Sequence, residues 1–422
     1  MKYQSLRGTK DILPEESRIW QYVEKQIHQT FQSTGFTEIR TPIFEQTELF
    51  TRTIGDGTDI VSKEMYTFID KGDRSVTLRP EATAAVVRAV IENNLINSQS
   101  KDLMLYYIGP MFRYERPQAG RQRQFNQAGI ELFGSDSFMA DVVVIITALM
   151  LFEKLGIKGL EININSVGCD VCRPGYLEIF KNYLNKNVSK LCPECQVRYE
   201  KNPLRILDCK NPSCKDVLKT APSLKDHVCE NCTDHLEKIV KELAKAGFKT
   251  TINDHLVRGL DYYSKTTFEI VSNDLGAQNA ICGGGRYDSL LEKLGGSKSP
   301  AVGMALGMER LISLLPEETK QKAKEGSQTL YIIAMGNEAV SKASEIQRQL
   351  LSEREKKSNI IINLDPNRSI KSQFKTANDI NADHVLIIGE NELKKDIYQL
   401  KNMKTGEQKE ITLKNIIEGN FE

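Results

Sequence analysis

The stretch FRYERPQAGRQRQFNQAGIELFG, residues 112–134, constrains the fold of this chain more than any other segment. Strand-like segments surround it, LMLYYIG and MFRYER before the loop and QFNQAGIELFG after it, which predicts an antiparallel hairpin. We expect Arg113 to lie on a strand, where packing fixes it. Three further arginines lie on or beside the loop, Arg116, Arg121 and Arg123. Guanidinium groups match phosphate oxygens, so the hairpin indicates either two phosphate-bearing partners, one small and one large, or an ordinary solvated loop.

Length and composition set broad bounds on the molecule. With 422 residues the chain is long enough for two or three domains. A net charge of +1 does not indicate a class of binding partner. A content of 40% hydrophobic and 27% charged residues is typical of soluble proteins. Residues 1–20 contain no apolar segment of signal-peptide length. The longest apolar run, eleven residues between Asp141 and Glu153, is too short to span a bilayer. We therefore expect a cytoplasmic protein without a membrane partner.

Helices and strands are mixed in the first three quarters of the chain. Pro14 predicts the start of one helix, a second is expected from Pro80, and a third over residues 141–155. The segment FTEIRTPIFE, residues 36–45, is expected to be one strand. Because Pro42 cannot donate a ladder hydrogen bond, this strand should lie at an edge or an interface.

The C-terminal part of the chain has a different pattern. After a polar linker over residues 316–328, the strands TLYIIAM, NIIIN and HVLIIG alternate with helices from about Glu338 and about Ser369. This alternation predicts a small, mostly parallel α/β domain. The predicted domains are therefore residues 1–326 and 327–422.

Eight of the nine cysteines lie in residues 169–233, which we predict to be a small inserted domain. It is basic, with ten Lys or Arg against four Asp or Glu between Lys181 and Lys225. Three C-x-x-C pairs and the wider pair Cys209/Cys214 have spacings that suit structural zinc, and they allow two sites, one site or none. The first choice of Zn²⁺ ligands is Cys192, Cys195, Cys229 and Cys232.

Six segments, in order, resemble those of one enzyme family. The arginine-rich hairpin resembles motif 2 of class II aminoacyl-tRNA synthetases, in the form found in histidyl-tRNA synthetases. VRGLDYYSKTTFE and CGGGRYDSLLEKLGG resemble two signatures of that family, and LRPEATAAVVRA a further block. EIRTPIFEQTELF resembles motif 1 with Pro42 as its proline, and AVGMALGMERLISLL resembles motif 3 with Arg310 as its arginine.

The resemblance implies a fold and an activity. The fold would be an α+β catalytic domain on a class II antiparallel sheet with flanking helices and the insertion, followed by a C-terminal α/β anticodon-binding domain, in a homodimer. The activity would be that of a histidine–tRNA ligase, which converts L-histidine and ATP with Mg²⁺ to histidyl-adenylate and pyrophosphate and then charges tRNA(His). The attacking carboxylate is already ionised near pH 7, so the site has to supply alignment and charge neutralisation rather than a general base.

Individual roles follow from the same resemblance. Arg258 and Arg113 would be the catalytic residues, both at the α-phosphate, with Arg310 at the γ-phosphate. Phe125 would stack on adenine and Glu115 would accept from its amino group. The residues implied for histidine are Glu81, Thr83, Arg113, Gln127, Glu131, Arg258, Tyr262 and Tyr263. Those implied for tRNA are Arg116, Gln118, Arg121 and Arg123.

Two positions depart from the family pattern, and two other functions compete. Asn126 stands where histidine is common, and Ala82 where glycine is common. One alternative is a non-catalytic paralogue that acts as regulatory subunit of ATP phosphoribosyltransferase in histidine biosynthesis. Such paralogues usually lack the C-terminal domain and lose motif arginines, whereas both are present in this chain. A stand-alone RNA-binding or zinc-ribbon module would leave the ATP-type motifs unexplained.

Overall fold

The computed structural model describes residues 3–55, 57–96, 102–117, 120–324, 328–353 and 359–418. This part of the chain divides into two compact units between Lys320 and Gln321. The helices up to that division are α1 (Pro14–Ser33), α2 (Thr47–Ile54), α3 (Thr83–Glu92), α4 (Phe138–Lys154), α5 (Arg173–Asn185), α6 (Pro193–Lys201), α7 (Pro212–Leu218), α8 (Glu230–Lys245), α9 (Leu290–Lys293), α10 (Met308–Ser313) and α11 (Glu317–Lys324), the last crossing it.

The strands of the first unit form two sheets. They are β1 (Thr37–Glu38), β2 (Phe44–Gln46), β3 (Tyr66–Ile69), β4 (Ser75–Leu78), β5 (Leu103–Phe112), β6 (Gln124–Phe133), β7 (Leu160–Ser166), β8 (Thr250–Ile252), β9 (Ser264–Ser272), β10 (Ala280–Arg286) and β11 (Ala301–Gly307). The large sheet has eight strands in the order β1-β5-β6-β11-β10-β9-β7-β8, and the small one has the order β2-β4-β3. The six central strands are antiparallel, while β1 and β8 at the edges are parallel to their neighbours.

Most of the predicted helices and strands are present, some with corrected bounds. The helix expected from Pro80 begins at Thr83, and the segment 36–45 is not one strand. Its two ends, β1 and β2, belong to different sheets. Between them, the buried guanidinium of Arg79 donates to the carbonyl of Thr41 at 3.0 Å. Pro42 has no N–H to pair, so the backbone is held there by a side chain rather than by a ladder.

The hairpin has longer arms than predicted. LMLYYIG and MFRYER do not form two strands, because β5 runs unbroken from Leu103 to Phe112 and pairs with β6 along its whole length. Arg113 lies directly after β5 rather than on it. Its backbone N–H still donates to the carbonyl of Arg123 at 2.9 Å, so the position is fixed although it is outside the strand.

The second unit is a mixed rather than a mostly parallel α/β structure. Its strands are β12 (Thr329–Ala334), β13 (Asn359–Ile362), β14 (His384–Ile388), β15 (Ile397–Asn402) and β16 (Gln408–Thr412), and its helices are α12 (Asn337–Glu353), α13 (Ile370–Asp379), α14 (Glu390–Lys395) and α15 (Leu413–Ile417). In the sheet order β13-β12-β14-β15-β16 the first three strands are parallel and the last two antiparallel. β15 (IYQLKN) and β16 (QKEIT) are short and contain many polar residues, so neither has the apolar run by which the first three strands were predicted. No helix in the described part of the chain is long and apolar enough to cross a membrane.

Candidate functional site

A cavity of about 350 Å³ opens on the central strands of the large sheet. It brings together most of the residues singled out in the sequence, Glu81, Thr83, Arg113, Glu115, Arg121, Phe125, Gln127, Glu131, Arg258, Tyr262, Tyr263 and Arg310. Arg116 and Arg123 do not line it, and Gln118 lies outside the described residues. One cavity therefore contains the residues that the resemblance assigned to histidine and to ATP.

One part of the cavity is acidic and closed off from solvent. Glu131 on β6 is 1% exposed and accepts hydrogen bonds from Thr83 Oγ1 at 2.8 Å and from the hydroxyl of Tyr287. Glu81 is also buried, and its carboxylate accepts from the backbone N–H groups of Thr83 (2.7 Å) and Ala84 (2.9 Å) at the start of α3. These bonds fix both carboxylates before any ligand binds.

The two buried carboxylates have shifted acidities. Burial raises the pKa of Glu131 to about 8, with a further contribution from the charge of Glu81, although hydrogen bonds from Tyr287 and Thr83 oppose the shift. Burial also raises the pKa of Glu81, opposed by its backbone hydrogen bonds. A carboxyl that is costly to ionise is stabilised by a ligand that brings a cationic or hydrogen-bonding group. An amino group or an imidazole edge has that character.

Glycine makes room for the Glu131 carboxylate. Gly303 on β11 pairs directly with Glu131 on β6, and a Cβ atom at Gly303 would lie 1.7 Å from Glu131 Oε2. A side chain at position 303 would therefore push the carboxylate out of place. The close neighbour that requires a glycine at position 303 is therefore a site carboxylate on the adjacent strand.

Tyrosines form the wall between the acidic part and the rest of the cavity. Tyr262 and Tyr263 lie in the loop before β9 and are 3% and 9% exposed. Their ring centroids are 4.7 Å apart, and Tyr262 meets Tyr287 edge to face at 5.6 Å. Nearby, the side-chain Oε1 of Gln127 is buried and has no hydrogen-bond partner among the described residues. An unsatisfied acceptor next to polar rings marks a place for a ligand donor.

The remaining part of the cavity is cationic. Arg113 donates from Nε to the carbonyl of Pro80 at 2.8 Å, and its guanidinium lies 5.3 Å from the centre of the Phe125 ring. Arg310 on α10 donates to the carbonyls of Gly120 (3.1 Å) and Ala280 (2.7 Å). These contacts use some of the donors of each guanidinium and direct the group. Burial lowers the pKa of Arg310, with the neighbouring Arg121 adding to the effect, so an anion is favoured here.

Arg258 lies in the loop that also carries the two tyrosines. Its guanidinium pairs with Glu269 on β9, and its Nε has no hydrogen-bond partner among the described residues. Burial opposes the charge of Arg258, yet the Glu269 carboxylate holds its pKa above the usual value. The guanidinium lies against Gly283 of β10, where a Cβ atom would be 2.3 Å from Nη2. The glycine-rich strand is thus the surface on which Arg258 rests.

The arginines of the hairpin are not equivalent. Arg121 Nη1 lies 3.1 Å from Glu115 Oε2 and faces the cavity. Arg116 is exposed. Arg123 lies 3.9 Å over the ring of Tyr114, and its backbone N–H donates to the carbonyl of Gly8 at 2.7 Å. Of the three arginines expected on or beside the loop, Arg116 is exposed, whereas Arg121 and Arg123 are partly buried.

The two departures from the family pattern have structural explanations. Asn126 donates to Glu309 Oε1 from its backbone N–H at 2.8 Å and from its side-chain amide at 3.1 Å, so an amide ties β6 to α10 next to Arg310. Burial raises the pKa of Glu309. Ala82 is buried in the apolar core under the cavity, where its methyl group is accommodated by packing.

Sequence reasoning missed several residues that line the cavity, among them Tyr107, Asp208, Lys210, Glu269 and Tyr287. Tyr287 and Glu269 lie inside segments that carried the resemblance, so their polar character next to the signature residues was the available signal. Asp208 and Lys210 come from the inserted segment. Only the tertiary fold shows that the insertion reaches the cavity.

The cysteines form two groups, and the expected zinc ligand set is wrong. Cys192 and Cys195 lie with Cys209 and Cys214, whereas Cys229 and Cys232 lie with Cys169 and Cys172, each set within 4.8 Å. The predicted set mixed one half of each group. The reason is topological: residues 169–172 leave the sheet where residues 229–232 return to it, so pairs far apart in sequence meet.

Comparison with known proteins places the chain among close relatives. The family model "Histidyl-tRNA synthetase" matches residues 8–171 and 179–311, and the model "Anticodon binding domain" matches residues 329–419. The chain is 46% identical over 419 residues to a protein named histidine–tRNA ligase from Desulfitobacterium hafniense, covering 99% of this chain and 97% of the relative. It is 48% identical to one from Halothermothrix orenii, covering 99% of each. The apo histidyl-tRNA synthetase of S. aureus superposes over 100% of both chains with a TM-score of 0.82 and 38% identity.

Proposed function

This chain belongs to the histidyl-tRNA synthetase family, and we propose that it activates L-histidine with ATP, releasing pyrophosphate, and transfers the histidine to the 3′ end of tRNA(His). One observation carries the proposal: a single cavity joins two buried carboxylates to three directed arginines. The first pair suits the cationic and imidazole groups of histidine, and the arginines suit the phosphates of ATP.

Histidine recognition rests on the acidic part of the cavity. We assign Glu81, Thr83 and Gln127 to the amino group and Glu131 with Tyr263 to the imidazole. The neighbouring Tyr262 supports this wall through its ring contacts. A pocket of buried polar groups discriminates strongly against amino acids that leave those groups unpaired.

Activation requires positioning rather than proton transfer. The histidine carboxylate attacks the α-phosphorus in line with the departing pyrophosphate, and negative charge grows on the phosphoryl oxygens. Arg113 and Arg258 supply fixed positive charge to the α-phosphate from two elements, the end of β5 and the loop before β9. Arg310 neutralises the γ-phosphate. Phe125 and Glu115 hold the adenine, with Glu115 kept in place by Arg121.

Mg²⁺ fits the donor set of this cavity. Carboxylates of Glu269 and Asp208 lie along its walls, and Mg²⁺ in phosphate sites is held by one or two carboxylates together with the phosphates and water. When bound, the ion would neutralise phosphate charge. Zinc has no catalytic part in the proposal, and its place is in the cysteine clusters of the insertion.

tRNA contacts are proposed on three elements. The hairpin, with Arg116, Gln118, Arg121 and Arg123, would meet the acceptor end. The inserted segment would add phosphate contacts through its excess of basic residues, and the second unit, which matches the anticodon-binding model, would bind the anticodon. Phosphate contacts of this kind supply most of the salt-dependent affinity for nucleic acid.

The proposal also includes a homodimer in the cytoplasm. Both outer strands of the small sheet carry large apolar side chains in solvent: Phe44 on β2 is 57% exposed, and Ile69 on β3 is 63% exposed. Ile43, just before β2, and Phe68 on β3 are exposed as well. Large apolar side chains left in solvent on the strands of one sheet are typical of a surface that another chain covers.

Histidine-dependent exchange of pyrophosphate into ATP by the purified full-length chain tests the proposal. We expect exchange that depends on L-histidine and Mg²⁺, and charging of tRNA(His) transcript when it is added. A regulatory subunit of ATP phosphoribosyltransferase would give neither reaction. Exchange without charging would retain the adenylation chemistry and exclude the transfer step.

A further inference from the structure

The eight cysteines of the insertion form two groups of four that the catalytic proposal does not use. We call Cys169, Cys172, Cys229 and Cys232 the basal cluster, and Cys192, Cys195, Cys209 and Cys214 the inner cluster. In the basal cluster the Sγ atoms of Cys169 lie 3.7 Å from Cys172 and 3.8 Å from Cys229, and Cys172 lies 3.9 Å from Cys232. In the inner cluster Cys192 lies 3.9 Å from Cys209. All eight thiols are free of disulfides.

These separations match a single tetrahedral ion. Four thiolates around zinc, each bound at about 2.3 Å, place their sulfurs about 3.8 Å apart. An iron–sulfur cluster would hold its cysteine sulfurs further apart, because several irons and sulfides lie between them. Each cluster supplies four sulfurs and no oxygen ligand, which is the donor set of a closed structural zinc site.

Backbone N–H groups in each cluster donate hydrogen bonds to cysteine sulfurs. The N–H of Cys169 donates to Cys172 Sγ at 3.3 Å, and the N–H of Cys192 donates to Cys214 Sγ at 3.2 Å. Gly168, with a φ of 72°, precedes the basal cluster, and a Cβ atom there would lie 3.1 Å from Cys172 Sγ. Backbone N–H groups thus donate to sulfur, and a glycine stands where the backbone comes closest to a sulfur atom. Both features are typical of a preorganised metal site.

We propose that each chain binds two structural Zn²⁺ ions, one in the basal and one in the inner cluster. The basal ion joins the two ends of the insertion, which we call its neck. Cys169 and Cys172 follow β7, where the chain leaves the large sheet, and Cys229 and Cys232 lie at the start of α8, where it returns. The linked cysteines are 60 positions apart. A bond that closes so long a loop removes much of the chain entropy of the unfolded state.

The basal ion also affects the active site, through contacts of the insertion with an active-site loop. The inserted segment lies against the loop that carries Arg258 and the tyrosines: Asn202 donates to the Asp261 carboxylate, and Arg205 lies beside Gly259. With the neck closed by metal, these contacts hold the loop in one place. The zinc ions are therefore positioning elements for the insertion and take no part in the reaction.

Metal content of the full-length chain tests the proposal. We would express the protein in zinc-containing medium, purify it with reductant, and determine metal per chain by native mass spectrometry and by elemental analysis. The expected values are two zinc ions for the wild type, one for Cys169→Ser/Cys229→Ser, and one for Cys209→Ser/Cys214→Ser. The matched control is Cys282→Ser, which removes the ninth, buried cysteine outside both clusters and should retain two.

The wild-type measurement is independent of whether any variant folds. A chain that contains no metal while its thiols are reduced, iron in place of zinc, or disulfides among these cysteines would overturn the assignment. One ion in the wild type would also overturn it. Because metal content is measured without substrate, failure here leaves the histidine-dependent exchange reaction untouched, so this proposal and the catalytic one fail separately.

Discussion

The proposed role of Arg258 depends on its charge and also on the glycine opposite it, which leaves room for its guanidinium. Its guanidinium rests on Gly283 and pairs with the carboxylate of Glu269. A fixed cation at the α-phosphate lowers the barrier only if it binds the growing charge of the transition state better than the ground state. The pairing with Glu269 orients the group before ATP arrives, which reduces reorganisation during the reaction.

We expect Arg258→His to lower the rate of histidine activation by about a hundredfold, the scale seen when one such donor is removed. ATP binding should change much less, because Arg113 and Arg310 remain. Single-turnover formation of the adenylate, with ATP affinity measured separately, checks this. The control is Arg52→Ala, an exposed arginine on α2 whose ion pair within the described residues is with the exposed Glu48. A near-normal rate constant with weakened substrate binding would remove Arg258 from the catalytic residues.

Glu131 makes the stability of the first unit depend on pH. Its folded-state pKa of about 8 lies above the usual value for glutamate of about 4.3. The protonated carboxyl therefore stabilises the fold below pH about 4.3, and this contribution is lost as the pH rises through about 8.

Relative to Glu131→Gln, the free energy of unfolding of the wild type should fall between pH 5 and 8, by up to about 1.4 kcal/mol per pH unit. Trp20 is the single tryptophan of the chain and is buried in α1, so its fluorescence reports on the first unit during urea unfolding. Curves for the two proteins that stay parallel across this range would show that Glu131 ionises normally.

At the scale of elements, the hairpin separates two kinds of arginine. Arg121 pairs with Glu115 and lines the cavity, whereas Arg116 is exposed and does not line it. We expect Arg116→Ala to lower tRNA charging ten- to hundredfold, roughly the loss of one or two charge-assisted hydrogen bonds, without changing pyrophosphate exchange. Arg121→Ala should lower both reactions. Equal loss of exchange in the two variants would contradict this division of the loop.

The insertion is the second element with its own prediction. Replacing its exposed lysines Lys186, Lys190, Lys201 and Lys210 with alanine should reduce the salt dependence of tRNA affinity, by about one unit of slope for every phosphate that is no longer neutralised. Affinity measured at several salt concentrations gives that slope. A control with the same change of charge replaces exposed lysines of the first unit that lie outside the insertion, Lys25, Lys154, Lys158 and Lys249. If both quadruple variants have the wild-type slope, the insertion does not bind tRNA phosphates.

At the scale of the whole molecule, the exposed apolar strands of the small sheet predict the oligomeric state. Phe44→Glu places a charge in that surface, where burial without a partner would be costly. We expect the wild type to have the mass of a dimer by light scattering and the variant to shift towards the monomer at micromolar concentration. Leu364→Glu, which changes an exposed leucine of the second unit, should leave the mass unchanged. A monomeric wild type would exclude the dimer.

Local patterns were enough for much of the order of the elements, and the resemblance of the motif segments was enough for most of the cavity residues assigned to histidine and ATP. Pro14, Gly35 and the alternation of helix and strand depend on neighbouring residues, so α1 and the first three strands of the second unit could be predicted from short windows. The polar residues that line the cavity belong largely to the motif segments. The α+β class and the class II sheet followed from these segments and were confirmed.

Tertiary structure alone decided what depends on approach between distant residues. Asn126 meets Glu309 across 183 positions, and the basal cluster joins cysteines 60 apart, so no short window contains either pair. Arg116 and Arg123 are both arginines of the hairpin, yet the N-terminal segment at Gly8 contacts Arg123, whereas Arg116 is exposed. Sequence determines which groups are available and how each element turns its faces. Which of those groups meet is determined by how the elements pack, because hydrogen bonds, ion pairs and metal ligation act over only a few ångströms.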